Sequence, residues 1–156
     1  MSLIIGIDPG LTTTGWGVIE SDGNSLSFVG CGSIKTKVGE PMALRLKNIY
    51  LGLEKVLEEF KPEIAAIEEV FVNMNSLSSM KLSKARAASM IALAMKDLEI
   101  AEYSTRYIKK VVTGSGAADK NQIMKMLGIL MPGLNIEKHD EADAVAIAVC
   151  RGLDRK

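Results

Sequence analysis

The fold is decided by residues 3–20, which read LIIGIDPGLTTTGWGVIE. The continuous, mostly β-branched run Leu3–Ile7 predicts a central strand that is buried on both faces. Asp8 ends this strand, Pro9-Gly10 predicts a tight turn, and Thr14–Glu20 predicts a second strand. Because a carboxylate at the end of a buried strand is costly to desolvate unless a cation meets it, Asp8 is a candidate ligand for a divalent metal.

Asp8 also has other interpretations. Aspartate often caps a turn, so this side chain could simply stabilise the Pro9-Gly10 turn. An Asp-x-Gly sequence at the end of a similar strand occurs both in nucleases of the ribonuclease H-like group and in nucleotide-binding domains of the actin and sugar-kinase group. This motif alone does not choose between these two classes.

The length and charge of the chain limit the possible functions. Its 156 residues predict a single domain, residues 1–156, with a substantial core. No stretch of the sequence is apolar for long enough to span a membrane, and the N-terminus does not resemble a signal peptide, so we expect a cytoplasmic protein with no membrane contact. The formal net charge is zero, but residues 73–125 contain nine basic and four acidic side chains. A basic region of this kind favours a polyanionic partner, although charged residues often only keep helix surfaces solvated.

The rest of the chain alternates strands and helices. Strands are predicted at Ser25–Ile34, Ile64–Ile67 and Ile100–Tyr103. Helices are predicted from Pro41 in a first turn to Phe60, at Ser76–Leu98, Thr105–Val112 and Asp119–Leu130, and from Asp140 onward. This order indicates an α/β fold with a five-stranded mixed sheet flanked by helices.

A second buried strand also ends in acidic residues. Ile64–Ile67 is followed directly by Glu68 and Glu69. Glutamate is a poor turn former, so turn chemistry explains this pair less well than it explains Asp8. By register we favour Glu68 as the member of the pair that belongs to a site.

The third acidic position lies at the start of the last helix. Asp140 and Asp143 are three residues apart and therefore share one face of the first helical turn. Acids are favoured at a helix N-terminus by capping and by the helix dipole, which is the simpler interpretation of the pair. However, Asp143 precedes the small apolar run Ala144–Ala148, which must pack on the sheet. An acid on the packing side of a helix indicates a site.

The helix Ser76–Leu98 carries small and apolar residues around most of its circumference, a composition typical of a helix that is buried on two sides. In a chain of this length, a second subunit is one candidate for the second side, which predicts a symmetric homodimer through this helix. A wholly internal helix is the alternative.

The four selected carboxylates, Asp8, Glu68, Asp140 and Asp143, predict a metal-dependent hydrolytic site. Oxygen ligands without a Cys or His cluster suit Mg²⁺, with Mn²⁺ able to substitute, rather than zinc. Two such ions about 3.5–4 Å apart can activate a water and stabilise the leaving oxygen of a phosphodiester. The basic side chains of the central region would hold the phosphates of the substrate; here we include Lys81, Lys84 and Arg86.

Four motifs in the right order carry a resemblance that spans essentially the whole chain. They are Ile7–Gly10 with Thr14–Ile19, Ala66–Phe71, Gly114–Lys120 and Asp140–Ala148. Together they resemble the RuvC family of bacterial Holliday-junction resolvases. The resemblance implies a ribonuclease H-like fold, with three antiparallel and two parallel strands, and a homodimer that nicks a four-way DNA junction symmetrically with Mg²⁺, two ions per subunit.

The resemblance also implies roles for individual residues. The acidic quartet of the family falls on Asp8, Glu68, Asp140 and Asp143, the base-contacting Phe falls on Phe71, and the DNA-binding lysines fall on Lys109 and Lys120. It further implies the branch-migration proteins RuvA and RuvB as partners, and a role in DNA recombination and repair.

Two other functions remain open from the sequence. A non-catalytic nucleic-acid-binding relative with the same fold would be expected to lack some of the four acids. An actin-like nucleotide-binding ATPase would need a second lobe and a further phosphate loop.

Overall fold

The computed structural model describes residues 1–69 and 76–154. The elements of this part of the chain are, in order, β1 (Ser2–Asp8), β2 (Thr13–Ser21), β3 (Leu26–Lys35), α1 (Met42–Phe60), β4 (Ile64–Glu68), α2 (Ser76–Ala94), β5 (Glu99–Tyr103), α3 (Thr105–Thr113), α4 (Lys120–Leu130) and α5 (His139–Leu153).

The strands form one sheet in the order β3-β2-β1-β4-β5. The pairs β1–β2 and β2–β3 are antiparallel, whereas β1–β4 and β4–β5 are parallel. The predicted mixed sheet of three antiparallel and two parallel strands is therefore confirmed. The hydrophobic run of β1 has the composition expected of a strand with neighbours on both sides and helices on both faces.

Side chains alternate between the two faces of the sheet, so the hydrophobic core has two parts, one on each face. Ile4 of β1 and Ala66 of β4 pack on one face with apolar residues of α3, α4 and α5. Ile5 and Ile7 pack on the other face with α1 and α2. Since side chains alternate between faces along a strand, Asp8 follows Ile4 and Gly6 onto the face that α5 covers.

Helix α5 lies unusually close to the centre of the sheet because glycines face it. A Cβ on Gly6 would lie 2.5 Å from the backbone nitrogen of Ala148 and would also clash with the carbonyl oxygen of Ala144. A Cβ on Gly17 would lie 2.9 Å from the backbone nitrogen of Val145. The helix contributes small residues to the same contact, so the two backbones approach without intervening side chains.

Helix α2 ends earlier than its composition predicts. The prediction extended it to Leu98, but the helix ends at Ala94. Residues 95–97 tighten into a turn in which the N–H of Lys96 donates to the carbonyl of Leu93, and Asp97 adopts a left-handed φ of 56°. This turn redirects the chain into β5. None of the helices in the described ranges is long and apolar enough to cross a membrane.

The close contact of α5 predicts the effect of adding one methyl group. We expect Gly6→Ala to lower the free energy of unfolding by about 1–3 kcal/mol, the usual cost of overpacking a core. The cost arises because the new Cβ meets backbone atoms of α5, which cannot rotate away. Urea denaturation of the two proteins measures the difference.

Gly128→Ala is the matched control. Gly128 is exposed within α4, and a Cβ there would meet nothing within 4 Å. This substitution is expected to raise the free energy of unfolding by about 0.5–1 kcal/mol, because alanine is the better helix former. If Gly6→Ala is as harmless as the control, the sheet does not require a glycine at this contact.

Candidate active site

The ends of two neighbouring parallel strands position Asp8 and Glu68. The register pairs Gly6 with Ala66 and Ile7 with Ile67, so Asp8 and Glu68 are the next residues on adjacent strands. Both lie on the α5 face by alternation, because Ala66 packs on that face. Neighbouring strands are about 4.8 Å apart, which brings the two carboxylates to one edge of the sheet.

The alternative that Asp8 only caps its turn receives no support from the local hydrogen bonds. The hydroxyl of Thr14 donates to the carbonyl of Gly10 at 2.7 Å, and the N–H of Gly10 approaches the same hydroxyl at 3.4 Å. Thr14 is fully buried. Within residues 1–69 and 76–154, the side-chain hydrogen bonds of this turn come from Thr14, Thr36 and Arg45, and none involves the side chain of Asp8.

The first turn of α5 brings Asp140 and Asp143 to the same edge. Gly15 pairs with Asp8 across β1 and β2, and a Cβ on Gly15 would lie 2.8 Å from the carbonyl carbon of Asp140. The absent side chain at Gly15 thus allows the start of α5 to lie beside the strand that carries Asp8. Lys138 is the N-cap residue and makes no side-chain cap hydrogen bond, so neither aspartate is committed to capping α5.

The pKa of Asp8 depends on its burial and on the three acids near it. Burial, as the largest cause, and the negative charges of Glu68, Asp143 and Asp140 together raise the pKa of Asp8 from its usual value of 3.8 to about 8. The ammonium of Lys120 acts in the opposite direction. Asp8 is therefore a carboxylate that lacks sufficient positive charge around it.

Asp143 is also shielded from water, but more positive charges lie near it than near Asp8. Burial raises its pKa, while the positive charges of Lys120, His139 and Lys109 lower it and Asp140 raises it. The Nζ atom of Lys120 lies 3.8 Å from Oδ2 of Asp143. Since both side chains are more than a third exposed, this ion pair is screened by water and contributes little to stability.

The structure places Glu68, and not Glu69, beside Asp8. The hydroxyl of Thr105 donates to the carboxylate of Glu68, which fixes that side chain near the α5 face. The Glu69 N–H donates to the carbonyl of Tyr103 at 2.8 Å, and the residue is exposed. Sequence reasoning missed Thr105; its position directly after the β5–α3 junction was the only available signal.

A cavity of about 150 Å³ opens next to these acids. Glu68 and Asp143 line it together with Thr105, Lys109 and Lys120. Both lysines were predicted to bind DNA, and the structure brings them to the same cavity as two of the acids. A space with carboxylates on one side and lysines on another can accommodate a phosphate and a cation together.

Arg86 has an intramolecular arrangement that the sequence did not predict. Its Nε donates to the backbone carbonyl of Glu68 at 3.1 Å, and its guanidinium forms an ion pair with Glu102. Its side chain is only 17% exposed. Arg86 therefore ties α2 to the end of β4, and its predicted contact with DNA remains a prediction.

The remaining predicted DNA contacts are Lys81, Lys84 and Phe71. Lys81 and Lys84 are exposed on α2. Phe71 lies outside the described residues.

The donor chemistry of the four acids fits a hard divalent cation, because every candidate ligand atom is a carboxylate oxygen. Among the residues that the structure describes, however, no three His, Cys, Asp or Glu side chains are close enough together to ligate one ion as they stand. Two of the acids have partners of their own, namely Thr105 at Glu68 and Lys120 at Asp143. Like charges also repel one another in the absence of a cation.

This sheet order, with acids at the ends of β1 and β4 and at the start of α5, defines an α/β domain of the ribonuclease H-like class. A family model described as "Crossover junction endodeoxyribonuclease RuvC" matches residues 4–151. The match covers nearly the whole chain, so the chain belongs to the RuvC family.

Individual relatives agree with this assignment. Crossover junction endodeoxyribonuclease RuvC of Rhodopseudomonas palustris (strain BisA53) is 51% identical over 152 residues, which is 97% of this chain and 87% of the relative. The Brucella ovis protein of the same name is 45% identical over 98% of this chain and 88% of its own length. Among solved structures, T. thermophilus RuvC in complex with Holliday junction substrate has a TM-score of 0.91 at 28% identity and covers 98% of this chain and 94% of its own.

The raised pKa of Asp8 predicts a stability cost in the absence of metal. The folded protein binds the Asp8 proton more tightly than the unfolded chain does, so stability falls as the pH rises from about 4 to about 8. We therefore expect Asp8→Asn to raise the melting temperature in EDTA at neutral pH and to lose that advantage near pH 4, where the folded wild type holds Asp8 protonated. A melting temperature that is lower for the variant at both pH values would contradict the unfavourable environment inferred for this carboxylate.

Proposed function

We propose that this chain resolves four-way DNA junctions as an endodeoxyribonuclease in DNA recombination and repair. The observation that carries the proposal is the convergence of Asp8, Glu68, Asp140 and Asp143 at one edge of the sheet. This convergence occurs in a chain of the RuvC family whose fold matches a RuvC structure described as containing a Holliday junction substrate.

The proposal includes a divalent metal, with Mg²⁺ preferred, two ions per subunit and Mn²⁺ as a substitute. Asp8, Glu68, Asp140 and Asp143 would hold the metal, because they offer only carboxylate oxygens and because Asp8 is short of positive charge. When bound, Mg²⁺ supplies Lewis acidity that activates a water and stabilises the leaving oxygen of the phosphodiester.

Residues of the chain itself position the Glu68 carboxylate and the phosphates of the DNA. Thr105 holds the Glu68 carboxylate toward the cavity through its hydrogen bond. Lys109 and Lys120 line that cavity and can donate to the oxygens of the phosphate under attack. Lys81 and Lys84, exposed on α2, are suited to contact phosphates farther along the strand.

The proposal also includes a homodimer formed through α2. One side of this helix is buried in the core, which includes Ala85, Ala92 and Leu93. The apolar residues Leu77, Met80 and Ile91 of α2 and Met95 directly after it, here called the α2 stripe, are each more than half exposed. A helix with apolar residues on both sides needs a second partner, and a symmetric second copy would place two active sites for paired nicks in opposed strands. The alternative of a wholly internal helix is wrong for the described chain, because the stripe is exposed.

A cytoplasmic location and interaction with RuvA and RuvB complete the proposal, and the two partners rest on the family resemblance. Of the other functions, a non-catalytic relative is disfavoured because all four acids are present and gathered at one edge. An actin-like ATPase is disfavoured because residues 4–151 match the RuvC family.

The direct test is cleavage of a synthetic four-way junction with a short mobile core, beside linear duplex, with Mg²⁺ and with EDTA. The wild type is expected to make paired symmetric nicks in the junction only, and only with metal. Asp8→Asn is expected to reduce cleavage by about 10²-fold or more, since even residues that merely support metal ligands cost 10–100-fold. Binding of the junction should remain within a few-fold of wild type.

Two neighbouring glutamates offer a matched control. Glu68→Gln should lose cleavage as Asp8→Asn does, whereas Glu69→Gln should keep it, because only Glu68 lies beside Asp8. Equal activity of the two Gln variants would remove Glu68 from the proposed site. Binding without any cleavage by the wild type would favour the non-catalytic relative.

The dimer has its own test in solution. Ile91→Asp, which places a charge in the centre of the α2 stripe, is expected to convert the protein to a monomer. Ile129→Asp is the control, because Ile129 on α4 is as exposed as Ile91, at 62% and 56%, but lies outside the stripe. Sedimentation equilibrium measures the mass of each protein; a wild type that is monomeric at all concentrations, or an Ile91→Asp variant that remains dimeric, would overturn the interface.

A further inference from the structure

A second groove lies at the same end of the sheet as the candidate active site. It has a volume of about 440 Å³ and is formed by the β1–β2 turn, α1 and the first turns of α2. Its wall begins at Gly10, two residues after Asp8, and includes Thr12, Arg45 and Lys81. The groove belongs to the face of the sheet that α1 and α2 cover, whereas the four acids lie on the α5 face.

Arg45 is the unusual residue of this groove, because its charge is buried without a counter-charge. It is only 7% exposed. Its Nε donates to the hydroxyl of Thr36 at 2.9 Å, and its Nη2 donates to the hydroxyl of Thr12 at 3.3 Å. Both acceptors are neutral, and within residues 1–69 and 76–154 no carboxylate forms an ion pair with Arg45.

The sequence restricts where a counter-charge could come from. Residues 70–75, which lie outside the described chain, contain no Asp or Glu. A buried cation without a partner is costly, and a guanidinium binds phosphate oxygens well because its donors form a planar fork. An anion in the groove would therefore supply the counter-charge that the described residues do not provide for Arg45.

The groove is built so that this charge can reach a ligand. Thr12, which accepts from Nη2 of Arg45, is exposed and forms part of the groove wall. Lys81 adds a second, exposed cation from α2. Among the described residues that line the groove, Arg45 and Lys81 are basic and none is acidic, so the groove favours negative charge.

The β1–β2 turn links the groove to the candidate active site. The hydroxyl of Thr36 donates to the carbonyl of Leu11 at 2.5 Å and accepts from Arg45. Arg45 is thus part of the network that holds the turn directly after Asp8. A phosphate bound in this groove would contact the β1–β2 turn, which directly follows Asp8.

We propose that this groove binds one phosphate of the DNA backbone, other than the phosphate that is cleaved, through Arg45, Lys81 and the hydroxyl of Thr12. The sequence-based set of DNA contacts contained Lys81 but neither Arg45 nor Thr12. The proposal rests on the proposed function, since it assigns the phosphate to the DNA that the enzyme binds.

The test measures binding of a fluorescent four-way junction in EDTA, over a series of KCl concentrations, for wild type, Arg45→Gln, Lys81→Gln and Lys55→Gln. Lys55 is the control, because it is exposed on the same helix as Arg45 but lies outside the groove. Arg45→Gln and Lys81→Gln should each reduce the slope of log Kd against log salt, up to the limit of about 0.9 for the loss of one whole phosphate contact on duplex DNA, and should weaken binding by about 3- to 10-fold. Lys55→Gln should leave both quantities unchanged.

A scan with uncharged methylphosphonates, placed at one backbone position at a time, then identifies the phosphate. One position is expected to weaken binding of the wild type more than binding of Arg45→Gln or Lys81→Gln, because each variant has already lost one of the two cations that contact this phosphate. This coupling separates a phosphate contact from a purely structural role of Arg45. If Arg45→Gln does not fold, coupling of Lys81→Gln to a single phosphate position decides the question in the same way.

The outcomes separate the subsite from the proposed function. If wild type and Lys55→Gln bind and cleave the junction, but the groove variants keep the wild-type salt slope and respond to every methylphosphonate as wild type does, the subsite is wrong and the proposed function stands. If the wild type does not bind the junction, the proposed function fails and the subsite fails with it.

Discussion

The candidate site depends on the direct backbone contact between α5 and the glycines of β1 and β2. A side chain on Gly6 or Gly17 would separate the helix from the sheet, and one on Gly15 would displace the backbone of Asp140. Without these side chains the helix axis lies close to the central strand. Asp140 and Asp143 are then held at the level where β1 ends in Asp8.

This close packing brings like charges together at a cost. Asp8 is shielded from water and surrounded by the other three acids, so its pKa rises to about 8. Thr105 and Lys120 compensate only in part, at Glu68 and at Asp143. Unfavourable electrostatics of this kind are typical of functional sites, where the folded structure maintains an arrangement that its ligand stabilises.

Local sequence patterns were sufficient to predict much of the fold and of the candidate site. The apolar run at Leu3–Ile7 and the acids that end two strands gave the sheet and most of the candidate site, because the period of a strand decides which side chains share a face. The small residues of α5 likewise indicated a helix packed on the sheet. The two-sided composition of α2 left both a dimer interface and a wholly internal helix open.

Other features could not be predicted, because they depend on residues far apart in the chain. Thr105 is 37 residues from its partner Glu68, and no local period connects them. Arg86 looked like a surface cation on a basic helix, yet it bonds to the carbonyl of Glu68 and to Glu102. The buried position of Arg45 arises from the way in which α1 packs against the β1–β2 turn.

The sequence by itself determined the order of the strands and helices and the family, and it indicated where the candidate acids lie, since each follows from local periodicity or from a motif of a few residues. The tertiary structure decided which of Glu68 and Glu69 faces Asp8, which cations meet the acids, and which apolar helix surface remains uncovered. The physical reason is that these outcomes depend on strand register and on helix-to-sheet distance. Both are set by packing across the whole core rather than by any single segment.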